Sequence, residues 1–143
     1  MAVGVALVAV VLAGAPPPAR ANPRGGCPLG RICLYSDRGF SGDRQEVDGG
    51  ARGGAGLGEG QSGPCTAVQA PVWSAVNRSG RRAGTPRYRL RLFHGADCRQ
   101  PAATVGPDAG REDTGGSGSF AVECLEPGGC GGRATPSQNI GGG

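Results

Sequence analysis

Apolar and polar residues alternate along several short stretches of the chain, and this alternation predicts β-strands. Tyr88, Leu90 and Leu92 are separated by arginines and therefore share one face. The stretch 120–124 alternates in the same way, and in 32–35 an isoleucine and a leucine lie opposite a cysteine and a tyrosine. No window of useful length follows the 3.6-residue period of a helix without an interrupting Gly or Pro. The pattern predicts an all-β chain with long loops.

The alternation also repeats along the chain with an offset of 58 residues. The pairs that keep their chemical character are Arg31/Arg89, Ile32/Leu90, Leu34/Leu92, Tyr35/Phe93 and Val47/Val105. In the same alignment Phe40 is matched by Cys98. Gly42 is matched by Gln100, so the second copy is expected to have a distorted hairpin. The repeat predicts two related β units that pack as a pair, each covering the apolar face of the other.

Residues 1–21 have the features of a secretory signal peptide. An almost wholly apolar run, 1–14, is followed by Ala19 and Ala21, which have the spacing of small residues that signal peptidases accept. The run is shorter than the roughly 20 residues that cross a bilayer, and nothing later in the chain resembles a membrane span. We predict cleavage after Ala21 and a secreted, extracellular protein. The alternative is an N-terminal helix packed in the fold.

The composition indicates how such a chain could fold. It has 30 Gly, 12 Pro and six Cys among 143 residues and few large apolar side chains. This is typical either of disorder or of a small fold held by covalent bonds, and six cysteines in an exported chain favour the second. Glycine is concentrated in 49–63 and 128–143, which predicts a flexible loop and a frayed tail. The predicted domain is 22–126, followed by a Gly-rich tail, 127–143.

The most specific local motif begins at Tyr35, which is followed by Phe40 and then by Gly42. A strand ending at Tyr35 would lead into a turn, and Phe40 would fold back over the hairpin onto the apolar layer. Gly42 would supply a positive φ, which other side chains disfavour. This spacing resembles the folded hairpin of the βγ-crystallin Greek key. The alternative is an ordinary hairpin.

The order of the motifs resembles that of the bacterial peptidase inhibitors typified by the Streptomyces metalloproteinase inhibitor. A Cys-Pro-x-Gly-x-x-Cys-Leu-Tyr run begins at Cys27 and leads into the hairpin motif. Further on come Trp73, Ser74 and Asn77, in a stretch similar to one of the family, and then a strand that ends in an aromatic residue. The resemblance covers 27–105, which is most of the chain outside its Gly-rich segments.

The resemblance implies a fold and an activity. The expected fold is a βγ-crystallin-like double Greek-key sandwich, small and disulfide-stapled, with a long Gly-rich loop and tail. The expected activity is that of a monomeric inhibitor without a cofactor, which binds an extracellular peptidase, in the typical member a metallopeptidase. The alternative is a structural or envelope-associated module of the same fold without inhibitory activity.

The family presents its reactive bond on a rigid loop, and the comparable region here is 94–101. The candidate contact residues in it are His94, Gly95, Ala96, Asp97, Cys98 and Arg99. Typical members close this loop with a local disulfide, whereas the region here contains one cysteine. A second candidate contact loop is 78–86.

The resemblance also bears on the pairing of the cysteines. The bridges we favour are Cys27–Cys33, Cys65–Cys98 and Cys124–Cys130. The first has a Pro and a Gly within a tight loop and agrees with the resemblance, the last spans a similar gap, and the remaining two cysteines form the middle pair. An alternative pairs Cys98 with Cys124. A zinc site is disfavoured, because no close Cys-x-x-Cys pair is present and export favours oxidation.

No set of residues in the sequence supports an enzyme or a metal site. His94 is the only histidine, so we predict neither a catalytic triad nor a metalloenzyme, and a surface position for this side chain. At the positions of the crystallin calcium ligands, 69–74 offers too few oxygen ligands. Glu112, Asp113 and Ser117 match those positions only weakly. We therefore predict that the protein binds no metal.

Six arginines without an acidic residue among them lie in 78–91. They could form a patch for an acidic partner or the solvated surface of a hairpin. We favour the second, and predict no nucleic-acid partner, because aromatic residues for base stacking are almost absent.

Trp73, the only tryptophan, is predicted to anchor the core rather than to stack on a ligand.

Overall fold

Eight β-strands form the protein in the computed structural model, which describes residues 25–49, 56–81 and 84–131. The strands are β1 (Ile32–Asp37), β2 (Ser41–Val47), β3 (Thr66–Val72), β4 (Ser74–Asn77), β5 (Tyr88–His94), β6 (Gln100–Val105), β7 (Ala109–Arg111) and β8 (Ser117–Cys124). These ranges contain no helix of the length and apolarity that a membrane crossing requires. The all-β prediction is confirmed, and the predicted signal peptide lies outside the described residues.

The strands form two four-stranded antiparallel sheets that exchange one strand each. The first sheet has the order β2-β1-β4-β7 and the second the order β3-β8-β5-β6. In each half of the chain the fourth strand returns beside the first, while the third strand joins the sheet of the other half. The two units that the repeat predicted are therefore joined into one small β-sandwich.

The register of the two hairpins follows the 58-residue offset of the sequence. In the β1–β2 hairpin Ile32 pairs with Val47. Their matches in the repeat, Leu90 and Val105, pair in the β5–β6 hairpin. The alternation of apolar residues sets this register, since a slip by one residue would turn the apolar set toward solvent.

The turns of the two hairpins are anchored in the same way. Phe40 and Cys98 occupy equivalent positions and both have a positive φ, 60° and 54°. The backbone N–H of Phe40 donates to Ser74 Oγ at 2.9 Å, and that of Cys98 donates to Ser119 Oγ at 3.1 Å. The second turn has no counterpart of the positive φ at Gly42, 78°. The hairpins therefore share an anchor but differ in turn geometry, as the repeat predicted.

Apolar side chains from both sheets form the main core between them. Its buried members are Ile32, Leu34, Val47, Val72, Ala75, Tyr88, Leu90, Leu92, Val105, Phe120, Val122, Cys124 and Cys130. On the other face of β1, Cys33 and Tyr35 belong to a second cluster, against which Phe40 packs. The rings of Tyr35 and Phe40 meet edge-on, with their centroids 6.1 Å apart. Both faces of β1 are thus covered, and the predicted fold-back of Phe40 is present.

Asn77 joins the two sheets through buried hydrogen bonds. Its side-chain Nδ2 donates to the carbonyl oxygen of Tyr88 at 2.7 Å and to that of Val105 at 3.0 Å. Its Oδ1 accepts the backbone N–H of Ser79 at 3.0 Å. The side chain is completely buried. Because buried carbonyls without a partner are costly, Asn77 holds the end of β4 against the start of β5 and the end of β6.

Part of the first Gly-rich segment is built into the fold. The backbone N–H groups of Gly60 and Gly63 donate to carbonyl oxygens of β8, both at 2.8 Å. The prediction of a flexible loop over 49–63 is therefore wrong for 57–63. Small side chains suggested flexibility, but the backbone of this segment forms hydrogen bonds along β8. Residues 50–55 lie outside the described ranges.

Three disulfides staple the sandwich, and they are the pairs favoured from the sequence. They are Cys27–Cys33, Cys65–Cys98 and Cys124–Cys130. Cys130 belongs to the main core, and its N–H donates to the carbonyl of Leu57 at 2.8 Å. The boundary predicted at residue 126 therefore falls too early, since the fold continues to Cys130; residues 132–143 of the predicted tail lie outside the described part.

Two glycines of the β1–β2 turn allow a matched test of the folded hairpin. Gly42 and Gly39 both have a positive φ, 78° and 69°. A Cβ at Gly42 would clash with Ser36 Oγ, whereas one at Gly39 would have no neighbour within 4 Å. We expect Gly39→Ala to cost about 1 kcal/mol for its backbone, and Gly42→Ala about 2–3 kcal/mol because a clash is added. Urea unfolding measures both, and equal costs would contradict the packing argument.

Candidate functional site

The candidate contact residues form the exposed turn of the β5–β6 hairpin. His94 pairs with Gln100 as the last pair of the ladder, so that 95–99 lie beyond it. Every residue from His94 to Arg99 is exposed except Cys98, which is partly buried. The structure therefore brings the predicted residues together on one protruding turn.

Cys98 fixes this turn to the body of the sandwich. Its disulfide reaches Cys65, just before β3, across a sequence separation of 33 residues. Its backbone N–H donates to the hydroxyl of Ser119, which is fully buried in β8. The turn is thus closed by a disulfide to a residue far away in the sequence, instead of the local disulfide of typical family members. One covalent and one hydrogen-bonded anchor at the same residue restrict the turn before any partner binds.

Local contacts restrict the rest of the turn. Gly95 has a φ of 72° and packs on β8 so closely that a Cβ at Gly118 would lie 2.7 Å from its carbonyl oxygen. Asp97 Oδ1 accepts the backbone N–H of Arg99 at 3.3 Å, and its Oδ2 lies 3.5 Å from Arg99 Nε. Because that ion pair is largely exposed, it contributes little to stability. It orients the two charged side chains that the turn presents.

Trp73 lies beside this end of the sandwich and is only partly buried. It belongs to neither core cluster, and the guanidinium carbon of Arg38 lies 4.2 Å from its ring centroid. The prediction that Trp73 anchors the core is therefore wrong. Ser74, the first residue of β4, points inward and anchors the β1–β2 turn. Because neighbouring side chains point to opposite faces, Trp73, which precedes Ser74, is left at the surface.

Asp113 holds Arg38 in place over the indole. Its Oδ2 lies 2.8 Å from Arg38 Nε, and its Oδ1 accepts the backbone N–H of Gly115 at 2.9 Å. The hydrogen bond from Arg38, followed by that from Gly115, lowers the pKa of the Asp113 carboxyl. Asp113 was one of the weak matches to a calcium ligand, and both of its oxygens have protein partners. The described residues contain no group of three or more His, Cys, Asp or Glu that could hold a metal ion.

The arginines of 78–91 have protein partners at most described positions. The ion pairs are Arg81–Asp108 at 2.9 Å, Arg87–Glu126 at 3.0 Å and Arg89–Glu123 at 3.2 Å. Arg78 Nη1 donates to the carbonyl of Cys27 at 2.7 Å. These contacts favour the interpretation of a solvated, paired surface over that of a patch for an acidic partner. Arg82, in the second candidate contact loop, lies outside the described residues.

Comparison with protein families decides the class of the protein. Residues 20–105 match the model of peptidase inhibitor family I36, which is more than half of the chain. The chain belongs to peptidase inhibitor family I36. Comparison with curated proteins and with solved structures gives no match. Family I36 makes peptidase inhibition the activity class of the protein and a peptidase its partner.

The I36 match ends at the last residue of β6, so it contains the β5–β6 turn but not all of its support. Ser119, which anchors Cys98, lies beyond the match and is not among the residues predicted from the sequence. The alignment of Phe40 with Cys98 was the available signal. It did not lead to Ser119 because this serine and Ser74 are not separated by the 58-residue offset that relates the hairpins.

Proposed function

We propose that this member of family I36 is a secreted inhibitor that binds an extracellular peptidase through the turn of its β5–β6 hairpin, with metallopeptidases as the target class. The observation that carries the choice of the turn is its anchoring. It is exposed along its length and fixed at Cys98 by a disulfide and by a hydrogen bond to Ser119.

Pre-organisation is what such a turn offers an inhibitor. A flexible peptide loses conformational freedom when a peptidase binds it, at a cost of about 0.5–1.5 kcal/mol for each immobilised side chain. A turn already restricted at Gly95 and Cys98 avoids part of that cost. Protease–inhibitor complexes bury about 800 Å² on each partner. The exposed turn and the surface beside it would supply the contact area.

The oxidised cysteines support the secreted location. Every cysteine is paired in the described part of the chain, which includes all six of the sequence. Structural disulfides persist in oxidising compartments and are rare in the cytosol. Together with the predicted signal peptide, this supports export before the protein meets its target.

The decisive experiment is titration of the purified mature protein, beginning at Asn22, against thermolysin, a zinc peptidase, and subtilisin, a serine peptidase. We expect stoichiometric loss of thermolysin activity at nanomolar to micromolar inhibitor. Inhibition of subtilisin alone would refute the metallopeptidase assignment. Full activity of both enzymes at micromolar protein would refute the inhibitor proposal and favour the structural-module alternative.

Added negative charge on the turn tests whether the turn contacts the peptidase. We expect the double substitution Ala96→Glu and Arg99→Glu to raise the inhibition constant at least about 30-fold, because it places unpaired charges in the interface. Both residues are exposed, so the melting temperature should stay within a few degrees of that of the unmodified protein.

Leu29→Glu is the matched control for this substitution. Leu29 is a half-exposed side chain that precedes β1, at the end of the sandwich where Ile32 pairs with Asn77. Asn77 in turn bonds the carbonyl of Tyr88, the first residue of β5, which lies roughly 20 Å from the turn at the strand's other end. Unchanged inhibition by the turn variant, or equal weakening by the control, would show that the turn is not the contact site.

A further inference from the structure

The single indole of the protein lies at the surface in a fixed position. The backbone of Trp73 is held on two sides, because its N–H donates to the carbonyl of Tyr35 and its carbonyl accepts the N–H of Thr114, both at 2.9 Å. The ring is covered on one face by the guanidinium of Arg38 at 4.2 Å. A large aromatic side chain left partly exposed and immobilised in this way contributes little to the core, which does not include it.

Arg38 is equally restricted, although 62% of its side chain is exposed. Its Nε is bound to Asp113 at 2.8 Å, and Asp113 is bound to the backbone of Gly115. Exposed arginines ordinarily sample many conformations, and ordering one on binding is unfavourable. Here the stack on Trp73 and the ion pair order the side chain in advance.

The Trp73–Arg38 pair adjoins the β5–β6 turn without intervening side chains. Gly115 and Gly116, with φ of 73° and 74°, lie between them. A Cβ at Gly116 would lie 3.0 Å from the Trp73 ring, and one at Gly115 would lie 3.4 Å from Cε1 of His94. The two glycines thus connect the indole on one side with the first residue of the turn on the other. Arg38, Trp73 and His94 are therefore neighbours at one end of the sandwich.

We propose that Trp73 and Arg38 form a second contact area for the peptidase that the β5–β6 turn binds. The inference rests on the proposed function and extends it. Tryptophan and arginine are among the residues enriched at the positions that dominate binding energy at interfaces. Side chains that are ordered in advance also lose less conformational freedom on binding. When the turn occupies the substrate cleft, the indole packs against an apolar side chain at the border of the cleft, and Arg38 donates to an acceptor beside it.

Substitutions in the pair test its contribution to affinity. Against whichever of thermolysin and subtilisin the unmodified protein inhibits, Trp73→Ala is expected to raise the inhibition constant about 30-fold and Arg38→Ala about 10-fold. Trp73→Phe should fall between Trp73→Ala and the unmodified protein. Leu29→Ala, at the opposite end of the sandwich, is the control and should change nothing. Arg38→Ala removes an exposed side chain, so it stays informative if Trp73→Ala proves unstable in a thermal melt.

A second measurement observes the indole directly. Since the chain has one tryptophan, labelling with 5-fluorotryptophan gives a single ¹⁹F resonance, and the unlabelled peptidase contributes none. We expect this resonance to shift when the peptidase is added. When the turn carries the substitutions Ala96→Glu and Arg99→Glu, the same shift should require a correspondingly higher concentration of peptidase.

The outcomes separate this inference from the proposed function. If the turn substitutions weaken inhibition at least about 30-fold while Trp73→Ala and Arg38→Ala inhibit like the unmodified protein and the ¹⁹F resonance does not move, the second contact area is refuted and the role of the turn stands. If the unmodified protein inhibits neither peptidase, both proposals are refuted.

Discussion

Replacing Cys65 and Cys98 together by serine is expected to lower the free energy of unfolding by roughly 4 kcal/mol, since a bridge across 33 residues strongly limits the unfolded chain. The same change frees the β5–β6 turn, leaving the hydrogen bond to Ser119 as its remaining anchor at that position. A freed turn fits a peptidase cleft as a substrate does. We therefore expect the variant to inhibit weakly and to be cleaved.

The measurements are chemical unfolding, inhibition, and mass spectrometry of the variant incubated with the peptidase. Paired replacement of Cys27 and Cys33 by serine is the matched control. This bridge limits the unfolded chain less and stabilises by about 2 kcal/mol, because its sequence separation is 6 residues. It lies at the end of the sandwich away from the turn, so inhibition should persist at temperatures where the variant is folded. A Cys65 and Cys98 variant that inhibits as tightly as the unmodified protein would show that anchoring is not needed.

Mild reduction is a chemical form of the same test. Cys65 is exposed and Cys98 is partly exposed, whereas the four other cysteines are at most 1% exposed. Thiols attack accessible disulfides first, so a limiting amount of reductant should open the Cys65–Cys98 bridge before the others. Inhibition should then fall while the unfolding transition of the sandwich stays cooperative.

Asn77→Asp is expected to be the most destabilising single substitution considered, with a cost of about 4 kcal/mol or more at neutral pH. The two donors that Nδ2 gives to the carbonyls of Tyr88 and Val105 are lost. The carboxylate that replaces them faces two carbonyl oxygens in a site without solvent contact. The N–H of Ser79 remains as a donor to Oδ1, but a buried charge without a counter-charge is among the costliest changes that a core can carry.

The cost of this substitution depends on pH with a definite sign. Burial beside carbonyl oxygens raises the pKa of the new carboxyl in the folded protein above its unfolded value of about 3.9. The folded variant therefore holds its proton more tightly than the unfolded one. The deficit in stability is smallest below about pH 4 and grows as the pH rises toward the folded pKa.

Urea unfolding of the Asn77→Asp variant and the unmodified protein between pH 3 and pH 7 measures this difference. Gln45→Glu adds the same charge at an exposed position of β2 and should change stability by no more than about 0.5 kcal/mol. A deficit for Asn77→Asp that is independent of pH would show that the site admits water or a counter-charge.

The alternation and the repeat predicted the framework because they reflect the same physical requirement. Residues such as Ile32 and Leu90 must face one core, and the register of each hairpin follows once the apolar faces are fixed. The candidate turn followed from the resemblance, and its distant anchor from the cysteines that remained after the short pairs. Of these features, side-chain type fixed the framework and the bridges, whereas the turn needed the resemblance.

Other features depend on contacts between distant parts of the chain, which residue type and local spacing do not encode. Residues 57–63 look flexible by composition, but they pair with β8 through N–H and carbonyl groups that every residue carries. Trp73 is large and apolar, which favours the core, but its neighbour Ser74 occupies the inward position because the β1–β2 turn needs its hydroxyl. Asp113 suggested a metal ligand, whereas its partner is Arg38, 75 residues away. Such pairings become visible only when both strands are in place.

The exchange of β3 and β7 has a consequence for a molecule that meets peptidases. A nick in the connection between β4 and β5 would yield two pieces, yet each piece keeps one strand within the other's sheet. The Cys65–Cys98 bridge also spans the nick, with one cysteine on either side. The halves are interlocked and covalently tied, so a single cleavage there would not let them separate.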